Sequence, residues 1–289
     1  MQLISMFVAR SVVRHFHYFS TSSAKMPLKF AANISMLFQE IEGLENRYKA
    51  AKEAGFKAVE CTFPYEVAAD KLAEAKEAAG IEHVLINAWP GDLKGGDIGI
   101  AAISSRRSEF KEKLETSIQY AKALGCKRMH VMAGRQTQFI DTAMKDVYLE
   151  NIGYAAERLQ KEGILCLIEA VNSKISLPGY FMDNYEKAVE CIKNVNHPNL
   201  KLQLDIFHLQ IMHGNLTGMI KEYMPCVGHM QIAQVPDRHE PNTDGEINYK
   251  YVFKLLEEVG YDGWIGLEYK PKGNTVEGLK WIQEMGYQL

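Results

Sequence analysis

A closed barrel of eight parallel strands with helical crossovers, (β/α)8, is the fold this sequence predicts for residues 26–289 as a single domain. Three observations predict it. From Met26 onward a short apolar run, a loop and a longer segment with apolar residues at three- and four-residue spacing recur eight times. Glycine stands just past the last turn of several longer segments, in Ala54-Gly55-Phe56, Ala79-Gly80-Ile81, Leu124-Gly125-Cys126, Glu162-Gly163-Ile164 and Val259-Gly260-Tyr261, as a left-handed cap requires. Neither G-x-G-x-x-G nor G-x-x-x-x-G-K-[ST] occurs, and eight units exceed the five or six strands usual in an open doubly wound sheet.

In chain order the strands are expected at Leu28–Ile34, Ala58–Cys61, Val84–Asn87, Arg128–Met132, Leu165–Glu169, Leu202–Asp205, His229–Ile232 and Ile265–Glu268. These runs are short and almost wholly apolar, as strands buried on both faces must be. The helices are expected at Leu44–Ala54, Ala68–Ala79, Glu109–Leu124, Val147–Lys161, Asp183–Val195, Asn215–Tyr223, Tyr249–Val259 and Val276–Met285. Two loops are longer than a connection needs, Trp89–Gly99 after the third strand and Gln234–Gly245 after the seventh. Both follow C-terminal strand ends, where a barrel of this type builds its site, and so read as lids or binding loops.

The polar residues at those ends are Glu60, Asn87, His130, Glu169, Asp205 with His208, Gln231 and Glu268. Glu169 and Glu268 each close a buried run, and a charge there needs a reason. Carboxylates converging on one mouth repel unless a cation sits among them, and a divalent metal is the economical answer. Glu169, Asp205, Gln231 and Glu268 offer only oxygens, a set that suits Mg2+ or Mn2+ with open positions. Such a metal grips a 2-hydroxy-carbonyl compound and acidifies its C–H, while two glutamates remove and return the proton through an enediolate. Each residue also has a plainer reading: a structural ion pair for either glutamate, a turn cap for Asp205, backbone satisfaction for Gln231, a hydrogen-bonded core residue for His130. Arg238 and Lys270 are solvated charges or partners of an anion.

With 289 residues, 47% hydrophobic and 24% charged, the composition is globular, and a net charge of −3 offers no basic stripe for nucleic acid. The five cysteines are scattered without a C-x-x-C pair and read as buried thiols in a reducing compartment. No apolar run reaches the ~18 residues that span a bilayer, so neither membrane nor nucleotide cofactor is expected. Residues 1–25 form an extension that carries Arg10, Arg14, His15 and His17, and no acidic residue precedes Glu40. That composition fits a mitochondrial transit peptide, hence the matrix; the alternative is an unstructured tail on a cytoplasmic protein that starts at Met26.

Six motifs in order, Glu169-Ala-Val-Asn, Leu204-Asp-Ile-Phe-His208, His229-Met-Gln-Ile-Ala, Pro236-Asp-Arg-His-Glu-Pro241, Gly245-Glu-Ile-Asn-Tyr249 and Gly266-Leu-Glu-Tyr-Lys-Pro271, resemble hydroxypyruvate isomerases of the xylose-isomerase-like TIM barrel superfamily. The resemblance runs from about Phe30 to the C-terminus. It implies interconversion of hydroxypyruvate, a small anionic hydroxy-keto acid, and 2-hydroxy-3-oxopropanoate, with Glu169 and Glu268 as the two proton donor/acceptors. It also implies that His208 and Arg238 contact substrate oxygens; Lys270 is a further partner for the substrate carboxylate. Gln231 stands where related sugar epimerases have a histidine ligand. Barrels of this kind often pair through outer helices, so a homo-oligomer is open. The superfamily also holds metal-dependent endonucleases for abasic DNA, which need many histidines and a DNA-holding surface that this chain does not offer. Two rivals stay open: another keto-acid or ketose isomerase or epimerase of the same architecture, and a non-catalytic binding barrel.

Overall fold

The computed structural model describes residues 27–135 and 143–289. The extension at residues 1–25 lies outside the described residues. The strands are β1 (Lys29–Asn33), β2 (Ala58–Cys61), β3 (Glu82–Asn87), β4 (Arg128–His130), β5 (Leu165–Glu169), β6 (Leu200–Asp205), β7 (Val227–Ile232) and β8 (Trp264–Leu267). They pair in parallel in sequence order, and β8 returns to β1 with Phe30 opposite Ile265, closing the barrel. Between them lie α1 (Leu44–Glu53), α2 (Ala69–Ala79), α3 (Arg107–Ala123), α4 (Met144–Gln160), α5 (Tyr185–Val195), α6 (Ile206–Met212), α7 (Leu216–Tyr223) and α8 (Tyr249–Glu258), with α9 (Thr275–Gly278) and α10 (Lys280–Glu284) after β8. The barrel predicted from the sequence is therefore the observed fold.

Strand periodicity sorts the side chains. Alternate residues such as Phe30, Val59, Cys166 and Ile168 point outward into the large cluster shared with the helices, where Phe30 packs edge-on against Phe253 and Trp281. A second, smaller cluster of Ala31, Ala58, Val84, Leu85 and Leu167 is packed separately. Hydrogen bonds between Glu60 on β2 and His229 and Gln231 on β7 join strands that are not neighbours, so these side chains must cross the barrel interior. The C-terminal strand ends thus hold the polar groups and a separate packed cluster supports the sheet, as barrels of this type require.

All five cap glycines read from the sequence, at positions 55, 80, 125, 163 and 260, have positive φ. Gly80 at φ 59 takes the left-handed conformation that ends α2 while its N–H bonds back to the last turn. Element ends shift from expectation by up to three residues, and three differences have a structural cause. The strand expected at Arg128–Met132 ends at His130, because the following segment leaves the sheet and pairs instead with the long loop after β3, Ala133 bridging Gly99. The crossover after β6 contains an unpredicted helix, α6, whose N-terminus is capped by Asp205 itself. The final helix expected at Val276–Met285 is two short helices, α9 and α10, separated at Leu279. At that break Gly278 lies against Glu240, where a Cβ would come within 2.6 Å of the carboxylate. No helix among the described residues is long and apolar enough to cross a membrane.

Candidate active site

Three strand ends and the helix turn after one of them bring Glu169, Asp205, His208 and Glu268 together, each offering one ligand atom, with all four atoms within 4.8 Å of one another. Glu169 ends β5, Asp205 ends β6, His208 lies on the first turn of α6, and Glu268 follows β8 by one residue. Glu169, His208 and Glu268 line a cavity of 420 Å³ with Asn87, Arg238 and Lys270 on its walls, and Asp205 is buried behind them.

Asp205 does two jobs. Its Oδ1 accepts from the Phe207 N–H at 2.8 Å, so the turn cap suggested by the sequence is real. Its Oδ2 remains for the mouth, 3.3 Å from Arg238 Nη2 and 3.5 Å from His208 Nε2. Arg238 also donates to Glu268 Oε2 at 2.6 Å and to the Glu268 carbonyl at 3.2 Å, and its guanidinium lies over the Phe207 ring at 4.8 Å. Its backbone is held at φ 60 by bonds to the Gln234 carbonyl and from the Lys270 N–H. A non-glycine residue in this region costs energy, and the loop maintains it where it aims a cation at two carboxylates. Lys270 itself is exposed at the rim.

Burial dominates the electrostatics. It lifts the Glu268 carboxyl to about 8, with Arg238 pulling the other way and Asp205 adding to the rise. Glu169 is raised well above the ordinary carboxylate range by burial, then by the charges of Glu268 and Asp205. Asp205 is raised by burial against the pull of Arg238. These are conditions in which carboxyls trade protons near neutral pH. His130, buried with both ring nitrogens unpartnered and Nδ1 3.4 Å from Glu169 Oε2, is held neutral by burial, its pKa down to about 3.

The hydrogen bonds around His208 fix its tautomer. Asn172 Oδ1 accepts from the backbone N–H groups of Ile175 and Ser176, so its amide nitrogen must face the ring, 2.7 Å from His208 Nδ1. The Asn172 backbone N–H points at the same Nδ1. With two donors on Nδ1, the neutral ring carries its hydrogen on Nε2, and burial keeps the ring neutral. His208 therefore presents a donor to the cavity, not a lone pair.

Gln231 has amide partners of its own. Its amide donates to Glu60 Oε1 at 2.7 Å, and its carbonyl oxygen accepts from Gln203 Nε2 at 2.7 Å. Gln203 also donates to Glu169 Oε2 at 3.0 Å. Glu169 Oε1 is left buried without a partner. Three converging carboxylates, one with an unpartnered buried oxygen, fit a hard divalent cation held chiefly by Glu169, Asp205 and Glu268. The sequence reading passed over Gln203 and gave Asn172 no role. Gln203 had a signal: it precedes Asp205 by two in a strand where leucines alternate with polar residues, which places both on one face.

Comparisons with known proteins identify the family and the fold. The profile of the family described as xylose isomerase-like TIM barrel matches residues 48–285. A Danio rerio protein provisionally named hydroxypyruvate isomerase is 49% identical over 263 residues, covering 89% of this chain and 95% of its own. The hydroxypyruvate isomerase of Escherichia coli and the 2-oxo-tetronate isomerase of Cupriavidus necator are each 41% identical over 256 residues, covering 88% of this chain and 98% and 97% of their own. A crystal structure from Brucella melitensis, described as an AP endonuclease of family 2, superposes with a TM-score of 0.86 at 43% identity, covering 91% of this chain and all of that one.

Proposed function

Because the chain belongs to the xylose isomerase-like TIM barrel family and is an isomerase of its hydroxypyruvate isomerase group, we propose that it interconverts hydroxypyruvate and 2-hydroxy-3-oxopropanoate. One glutamate of the Glu169/Glu268 pair takes a proton from C3 of hydroxypyruvate, giving an enediolate, and the other supplies a proton to C2. The hydroxyl hydrogen passes from O3 to O2, so no net proton is consumed. The observation that carries this reading is the convergence on one cavity of two carboxyls lifted by burial, Glu169 buried and Glu268 partly so.

The His208 Nε2–H donates to a substrate oxygen, and Arg238 with Lys270 receives the substrate carboxylate. Glu169, Asp205 and Glu268 would hold a divalent cation, Mg2+ or Mn2+, with Gln231 as a further oxygen ligand. When bound, the cation supplies an electrophile for the oxygens of the 2-hydroxy-carbonyl group. The net charge of −3 argues against a nucleic-acid substrate. On the composition of residues 1–25 we assign the protein to the mitochondrial matrix, the cytoplasm being the alternative.

Proton NMR of hydroxypyruvate in D2O with the full chain tests the proposal. Loss of the C3 proton signal with appearance of product, falling by ~100-fold or more in both Glu169→Gln and Glu268→Gln, is the expected result. A chelated sample tests the cation. An unchanged hydroxypyruvate spectrum overturns the substrate. A four-carbon 2-oxo acid is the second reading, favoured by the 41% identical 2-oxo-tetronate isomerase, and the same assay with that acid decides between them.

A further inference from the structure

Beneath the mouth, a chain of hydrogen bonds leads from Glu60 to Glu169. Glu60 on β2 is fully buried and is not among the residues lining the cavity. Its Oε1 accepts from Asn33 Nδ2 at 2.9 Å and Gln231 Nε2 at 2.7 Å, and its Oε2 faces His229 Nε2 at 2.7 Å. Room for the carboxylate is made by Gly266, whose Cβ, were there one, would lie 2.3 Å from both oxygens.

The directions of these bonds follow from chemistry. A carboxylate only accepts, so Gln231 must turn its NH2 to Glu60 and its oxygen away. That oxygen meets Gln203, which must turn its own NH2 toward it. The NH2 has two hydrogens, and the second reaches Glu169 Oε2. Had Gln231 been reversed, oxygen would face oxygen at Glu60 and NH2 would face NH2 at Gln203. Asn33 is fixed from its other end as well, its Oδ1 accepting the Ser35 N–H at 3.1 Å. The consequence reaches the mouth: Oε2 of Glu169 is engaged and Oε1 is left without a partner.

We propose that Glu60 is a positioning residue for the isomerase, acting through the Gln231 and Gln203 amides to hold the Glu169 carboxylate with Oε1 presented to the substrate. This rests on the catalytic role given to Glu169 above. Glu60 touches no reacting atom. It sets the sense of the relay, and the relay sets the orientation of the carboxylate.

The test compares Glu60→Met, Glu60→Gln, Gln203→Leu and the Glu60→Met/Gln203→Leu double variant in the full chain. Removal of the acceptor in Glu60→Met, or of the link in Gln203→Leu, is expected to lower kcat by ~10- to 100-fold with KM within about threefold. Glu60→Gln should recover most of that loss. Its oxygen can accept from Asn33 and Gln231 while its NH2 donates to His229, which shifts its own hydrogen to the unpartnered Nδ1. The double variant should be no slower than Gln203→Leu alone, since both changes cut one relay. Unchanged kcat in Glu60→Met, a rise in KM alone, or losses that multiply in the double variant would each overturn the proposal.

A second readout does not depend on turnover. The side-chain amide protons of Gln203 and Gln231 should exchange slowly in the wild-type protein and in Glu60→Gln, and rapidly in Glu60→Met. Rapid exchange in the wild-type protein overturns the relay, even should Glu60→Met fail to fold. A wild-type protein that turns over neither hydroxypyruvate nor the four-carbon acid defeats the isomerase reading instead, and the exchange data then report on the relay separately.

Discussion

Metal-free protein should lose stability as pH rises from 6.5 to 7.5, and Glu268→Gln should remove much of that slope. Burial lifts the Glu268 carboxyl from an ordinary 4.5 to about 8. Between those values the folded protein keeps a proton that the unfolded chain has released, so raising the pH favours unfolding. The contribution is complete below about 4.5 and has vanished once the pH passes about 8. One retained proton corresponds to about 1.4 kcal/mol per pH unit, which is the loss expected from Glu268 across the window. The Glu268 side chain is 15% exposed, so solvent screens little of this.

The buried histidines act with the opposite sign and at lower pH. His83 and His130, each held down to about 3 by burial, stabilise the fold above the ordinary histidine value and lose that contribution as pH falls from 6.5. Each such histidine still adds roughly 0.3 kcal/mol across the window, but equally in the wild-type protein and in Glu268→Gln, so the difference between the two slopes isolates Glu268. Urea unfolding followed by circular dichroism in chelator at pH 6.5, 7.0 and 7.5 gives both slopes. Equal slopes for the wild-type protein and Glu268→Gln would refute the assignment of a retained proton to Glu268.

Three further outcomes are expected. Addition of Mg2+ or Mn2+ to the stripped protein at pH 7.5 should release about one proton, read by calorimetry in buffers of different ionisation heat, and Asp205→Asn should weaken uptake at least ~10-fold; uptake without proton release would contradict it. Asn172→Leu removes the shorter of the two donors that hold His208 with its hydrogen on Nε2, leaving only the backbone N–H at 3.4 Å, and should raise KM for the keto acid by about tenfold, with an unchanged KM counting against the tautomer. Gly266→Ala places a Cβ 2.3 Å from the Glu60 carboxylate and should cost ~1–3 kcal/mol in urea unfolding; a cost near zero would show that Glu60 has room to move.

Much of the architecture was legible because its signals are local. An apolar run, a return to three- and four-residue spacing and a glycine at the helix end are each properties of a few consecutive residues, and they placed all eight strands and the five caps. The convergence of Glu169, Asp205 and Glu268 was legible for a related reason: a barrel puts its C-terminal strand ends at one mouth, so position along a strand already implies proximity. Helix α6 escaped because Asp205, named as a ligand, also supplies the cap that starts it, and the helix is only seven residues long.

What the tertiary structure alone decided is direction. The sequence specifies that Gln203, Gln231, Asn172 and His208 are polar, but an amide or an imidazole can face either way until its partners are in place. Those partners are remote along the chain: Glu60 and Gln231 are 171 residues apart, and Asn172 and His208 are 36 apart. Closure of the barrel brings them within hydrogen-bond distance, where an acceptor-only carboxylate and two backbone donors leave one arrangement without clashes of like groups. The fold is thus written in local patterns. Which nitrogen donates and which carboxylate oxygen faces the cavity are fixed only by buried partners meeting across the barrel, where water cannot substitute for a missing one.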